Sequence, residues 1–126
     1  MRIALITNSF KVSTELWIWR QVNYLSREIG YVGILDNLAD REENGIPVLS
    51  LVKDNPPFGS NPFFMVRKLK RLEEQYGIDT YYIHYLTNAF QLKEFIQLTD
   101  RRVFVHCHGF DITHDLKHHQ NPLNYY

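Results

Sequence analysis

Residues 2–36 read RIALITNSFKVSTELWIWRQVNYLSREIGYVGILD, and the order of patterns in this stretch decides the fold class. Arg2 to Thr7 is a short apolar run without polar alternation. Such a run marks a strand covered on both faces, which occurs mainly in parallel sheets flanked by helices. After the polar loop Asn8 to Ser13, Ile18, Val22, Leu25 and Ile29 recur at spacings of four, three and four, while Arg20, Asn23 and Arg27 fall elsewhere. That periodicity predicts an amphipathic helix, which Ser13 or Thr14 can cap and whose positive end suits Glu15. Gly30 is expected to stop the helix, and Tyr31 to Leu35 to form a second strand closing at Asp36.

The same alternation continues outward from this unit. Ile46 to Val52 reads as a third strand, entered through Asn44-Gly45 and left through the loop 54–61. Asn61-Pro62 opens a second helix, with proline in the first turn where its missing amide hydrogen costs nothing. Met65, Leu69, Leu72 and Tyr76 mark its buried stripe, and Gly77 stops it. Thr80 to His84 is a fourth strand, Asn88 to Leu98 a third helix with Ala89, Leu92, Phe95 and Ile96 inward, and Arg102 to His106 a fifth strand. Strands alternating with helices at this spacing predict an α/β, Rossmann-like open sheet, mostly parallel, with helices on both faces and strand order 3-2-1-4-5. His114 to Tyr126 runs through His118-His119 and Pro122 without completing a helix, so residues 1–126 are expected to be a single N-terminal domain of a longer fold, either excised or shortened.

Composition narrows the function classes. The chain has 126 residues, 44% of them apolar, enough for one core and too few for most two-domain enzymes. Fourteen basic residues balance fourteen acidic ones, so no global field draws in nucleic acid, and none is expected as a partner. Cys107 is the single cysteine, which excludes an intrachain disulfide and a cysteine-based zinc knuckle. The N-terminal apolar run is too short for a signal peptide and no stretch is long enough to span a bilayer, so the chain is expected to be soluble and cytoplasmic. One local patch stands out: Arg67, Lys68, Lys70 and Arg71 put four cations in five residues, behind Phe63-Phe64. It reads either as a solvated helix face or as a peripheral contact with the inner face of a membrane.

In open parallel sheets ligands gather beyond the carboxyl ends of the strands, where the strand order reverses. The loops beginning at Asn8, His84 and His106 should therefore line one rim. The first loop has no glycine where a dinucleotide site needs G-x-G-x-x-G, so no tightly bound cofactor is expected. His106 and His108, two apart on a strand, with His84 and Asp111 near, allow a small metal-dependent hydrolase as one alternative. No metal-ligand motif with its own spacing is present, and no metal is expected. A non-catalytic α/β binding module is a further alternative. The rim formed by Tyr85, Phe110 and Tyr125-Tyr126 is expected to expose apolar surface and to favour self-association.

Three segments resemble the N-terminal domain of the retaining GT-B glycosyltransferases of group 1. Thr14-Glu15-Leu16-Trp17-Ile18 with Gln21-Val22 and Leu25 is similar to that family's S-E-T-F-I helix start and its Q-V-x-x-L continuation. Asp79 to Tyr85 with Ala89 is similar to D-V-I-H-A-H-F, and His106-Cys107-His108-Gly109-Phe110-Asp111-Ile112-Thr113 to T-x-H-G-Y-D-I-S. Tyr82 stands where the family often has a histidine, Leu86 where glycine is usual, and Leu16 where it has threonine. The resemblance implies the N-terminal, acceptor-side half of a GT-B fold, with a nucleotide sugar as substrate and a glycan or lipid-linked acceptor. The nucleotide-sugar domain would be a separate C-terminal unit absent from residues 1–126, leaving this fragment inactive alone. It implies a catalytic, donor-contacting role for His108, donor contacts for Gly109 and Asp111, and acceptor contacts for Thr14, Glu15 and His84. An imidazole can donate to a sugar hydroxyl or a departing phosphate, and glycine beside it imposes no side-chain clash.

Overall fold

A computed structural model describes residues 1–8, 16–53 and 62–107. Its elements run β1 (Ile3–Thr7), α1 (Leu16–Tyr24), β2 (Ile29–Ile34), β3 (Arg41–Glu43), β4 (Ile46–Ser50), α2 (Pro62–Tyr76), β5 (Thr80–His84), α3 (Leu86–Gln91), α4 (Lys93–Leu98) and β6 (Arg102–His106). They form one six-stranded sheet in the order β3-β4-β2-β1-β5-β6. Every pairing is parallel except β3 with β4. The five expected strands thus take the expected order, and an antiparallel edge strand adds to them.

Alternation along the central strands sorts the apolar residues into two cores. Ile3 and Leu5 of β1 pack with Ile18 and Val22 of α1 on one face. Ala4 and Ile6 pack on the other face with Leu69 and Leu72 of α2 and with Ala89, Leu92 and Phe95 from the α3–α4 region. Covering both faces explains why β1 reads as an uninterrupted apolar run.

Five expectations need correction. The first helix ends at Tyr24, and Ile29 and Gly30 belong to β2, because Ile29 pairs with Ile3. The register shifts between Ile3 and Ala4, leaving Gly30 as an extra residue there. A Cβ on Gly30 would stand 2.6 Å from Cδ1 of Ile78, so glycine serves close approach at that point. The second strand accordingly covers Ile29–Ile34 instead of Tyr31 to Leu35, and the strand expected to reach Val52 ends at Ser50. Asn44-Gly45 joins a hairpin instead of only entering a strand, with φ of 52° and 82°. The expected helix over Asn88 to Leu98 divides at Leu92, whose φ of −100° and ψ of 15° interrupt it.

Polar contacts clamp the amino ends of the strands. The Arg2 amide donates to both carboxylate oxygens of Asp79 at 3.2 Å, and Thr80 Oγ1 donates to Asp79 Oδ1 at 2.8 Å. The Thr80 bond foremost, helped by the Arg2 amide and nearby positive charge, holds the Asp79 carboxyl below its ordinary range although burial opposes it. The Tyr81 hydroxyl donates to Glu73 Oε1 at 2.8 Å, and Arg101 Nε lies 3.4 Å from Glu73 Oε2. Burial foremost pushes the Tyr31 and Tyr81 phenols up.

Candidate functional site

The carboxyl ends of β1, β5 and β6 bring three polar side chains into one row. Ile6 pairs with Ile83 and His84 with His106, so Thr7, His84 and His106 follow one another across neighbouring strands. Alternation places all three on the α1 face, because the intervening Ile6 and Ile83 belong to the opposite core. The row lies where the strand order reverses, with β2 and β4 on one side of β1 and β5 and β6 on the other.

His84 is the centre of the row. It is fully buried, and its Nε2 lies 3.0 Å from Oε1 of Gln21 on α1. This bond between Nε2 and the Gln21 amide fixes the orientation of the His84 ring. The His106 ring stacks on His84 with centroids 5.4 Å apart and planes at 28°. Nδ1 of His106 and the hydroxyl of Tyr82 are 2.8 Å apart, a bond that fixes the orientation of the His106 ring for either tautomer. Tyr82 also packs against the His84 ring, with centroids 5.0 Å apart. Two imidazoles held by an amide and a phenol form an interlocked polar cluster at the strand ends.

Thr7 adds an unsatisfied group to this cluster. Its side chain is buried, and Oγ1 has no hydrogen-bond partner among the described residues. The corner after β5 is strained as well, because Tyr85 holds φ of 74°, a region that favours glycine. Two bonds over-determine that corner: the Tyr85 amide donates to the His106 carbonyl at 2.9 Å, and Asn88 Nδ2 donates to the His84 carbonyl at 2.8 Å.

No family model, curated protein or solved structure matches the chain. The site therefore stands on its own geometry.

Of the expected site residues, His84 lies within this cluster, and His106 of the hydrolase alternative stacks on it. Thr14, Glu15, His108, Gly109 and Asp111 lie outside the described residues, as do Phe110, Tyr125 and Tyr126. Among the described residues no group of three or more His, Cys, Asp or Glu side chains is placed to hold a metal ion. Arg67, Lys70 and Arg71 are exposed on α2, and Lys68 is partly buried. No helix among the described residues is long and apolar enough to cross a membrane. Thr7, the Tyr82–His106 bond and the Asn88 corner were missed as site features. The signal available for Tyr82 and His106 was their even spacing from His84 and Phe104, which places each pair on one strand face.

Proposed function

We propose that this chain is the acceptor-side N-terminal domain of a retaining GT-B glycosyltransferase of the group 1 family, a Rossmann-like half that works with a separate nucleotide-sugar domain. The observation that carries the reading is the row Thr7, His84, His106 at the carboxyl ends of β1, β5 and β6. This row leads directly into the His106 to Thr113 segment, the most specific of the three sequence resemblances. Strand order with helices on both faces supports it too, since such a sheet opens its ligand crevice at this rim.

In this reading His84, oriented by Gln21, and the Thr14-Glu15 helix start form the acceptor wall. His108, beside Gly109 and Asp111, donates a hydrogen bond to the donor sugar or to the departing phosphate as negative charge develops there. The transfer takes place in the cytoplasm, with a glycan or lipid-linked acceptor. The metal-hydrolase alternative has less support, because Nε2 of His84 is already engaged by Gln21.

The test is twofold. Gene sequence beyond the codon for Tyr126 should encode a second α/β domain. The complete gene product should transfer label from one of a panel of radiolabelled nucleotide sugars to membrane lipid or polysaccharide, while residues 1–126 alone should not. Absence of the second domain together with no transfer from any donor overturns the reading.

A further inference from the structure

The two edges of the sheet are built differently. β3 closes one side with three residues, Arg41-Glu42-Glu43, all charged and turned back onto β4 by a hairpin. Short length and charge are the usual guards against pairing with another chain. β6 closes the other side with five residues, Arg102-Val103-Phe104-Val105-His106, and has an apolar centre, no proline and no shift in its register with β5. Strands of parallel sheets are ordinarily covered on both faces, yet Phe104 is 53% exposed and Val105 38%. Adjacent residues of a strand point to opposite faces, so apolar surface is open on both sides of the sheet here. Val103 packs against the core built on α2, α3 and α4, whereas Phe104 and Val105 belong to neither core.

The ladder with β5 determines which backbone groups of β6 stay open. The His106 carbonyl accepts from the Tyr85 amide, so the backbone of His106 faces β5, and by alternation so do those of Phe104 and Arg102. The amides and carbonyls of Val103 and Val105 point the other way, and among the described residues no strand pairs with that edge. The sequence is symmetric about its middle residue: a valine stands on each side of Phe104, and a basic residue type beyond each valine. Such a strand is its own complement under a two-fold axis, as an isologous contact requires.

We propose that β6 pairs antiparallel with β6 of a second copy across a two-fold axis at Phe104, which joins the two sheets into one. Val103 of each copy lies opposite Val105 of the other, and every outward amide of these residues meets a carbonyl. The two Phe104 side chains meet as a non-hydrogen-bonded pair, the closer of the two kinds in an antiparallel ladder, and cover each other. Arg102 falls opposite His106 of the second copy at the ends of the ladder, so the fixed charge of the strand stays at the margin beside solvent. An extended peptide from another protein would need no symmetry in β6, and the symmetry is what selects a second copy. The contact lies at the sheet edge, away from the rim at the carboxyl ends of the strands, and does not depend on the transferase reading.

Sedimentation equilibrium of the full 126-residue chain tests it. One short ladder is a small interface, so the dimer should dissociate with a constant on the order of tens of micromolar. Phe104→Lys sets like charges opposite each other on the axis, and Val105→Pro removes an outward amide hydrogen that the β5 ladder does not use; each should weaken the dimer at least about tenfold. Circular dichroism melts confirm that the variants fold. Register is read separately and without a disruptive change, in a Cys107→Ser background that removes the native thiol. There Phe104→Cys should form an intermolecular disulfide on mild oxidation, because a non-hydrogen-bonded pair brings the Cα atoms to about 4.5 Å. Val103→Cys should not, since its two copies stand diagonally, about 7 Å or more apart. A chain that stays monomeric up to about ten times the expected constant overturns the proposal and leaves the edge to another segment of the chain or another protein. A dimer that folded Phe104→Lys and Val105→Pro leave intact, or a disulfide through Val103→Cys in place of Phe104→Cys, overturns it as well.

Discussion

Thr7→Val separates a structural threonine from one kept for a ligand. The hydroxyl is buried at the end of the central strand with no partner among the described residues, whereas the Thr7 carbonyl is satisfied by the Leu35 amide at 3.0 Å. Mutational data put the cost of an unpartnered buried hydroxyl at about 1–3 kcal/mol. Valine keeps the β-branched shape that a strand favours and replaces the hydroxyl with a methyl of similar size. Allowing for imperfect fit of that methyl, the variant should gain about 1 kcal/mol, which for a domain of this size raises Tm by about 3–5 °C. Thr7→Ser keeps the hydroxyl and deletes a buried methyl, so it should lose about 1 kcal/mol. Urea titration of the three proteins side by side reads both changes. On the transferase reading, Thr7→Val in the complete gene product should also slow sugar transfer, which a purely structural threonine would not require. A loss of about 1 kcal/mol or more in Thr7→Val refutes the reasoning, because it means the hydroxyl has a partner after all.

Tyr31→Phe applies the same logic on the opposite core, where the buried phenol oxygen also lacks a partner among the described residues and the ring packs at a tilt against Tyr76, centroids 5.4 Å apart. It should gain about 1 kcal/mol by thermal or urea unfolding, with no effect on transfer; a comparable loss contradicts it. Gly33→Ala should lose about 1–3 kcal/mol by overpacking, since its Cβ would stand 2.8 Å from Cδ1 and 3.1 Å from Cγ of the fully buried Leu51. Asp79 has its pKa depressed in the folded state, so its contribution is present above the ordinary value of 3.8 and is lost as pH falls through the lower folded value. Stability measured against pH should therefore show wild type and Asp79→Asn converging in strong acid, and divergence on acidification would contradict this.

What was legible in the sequence was whatever periodicity alone determines. β1 and β2 read as strands because both faces are covered, and α2 because Leu69 and Leu72 meet one core at helical spacing. β3 was invisible, since Arg41-Glu42-Glu43 has no apolar signal and forms only through the Asn44-Gly45 hairpin and its pairing with β4. Ile29 misled because it stands four residues after Leu25, the helical spacing, while tertiary pairing with Ile3 claims it for a strand. The rim was legible as a place, because ends of parallel strands are where open sheets bind. Its partners were not: Gln21 and His84 are 63 residues apart and Tyr82 and His106 are 24 apart, so only the register of β5 with β6 and the seating of α1 unite them.

The measurement that tests the proposed transferase reading most directly is sugar transfer by the complete gene product carrying His108→Ala, with the anomeric configuration of the product read by NMR. The product should retain the configuration of the donor. The variant should transfer about two orders of magnitude more slowly, the scale set by removing one preorganised donor to developing charge. Its urea unfolding should match wild type, as the proposed donor-contacting role requires. Inverted product, or a His108→Ala protein that loses several kcal/mol of stability while its folded fraction transfers sugar at the full rate, would contradict the account.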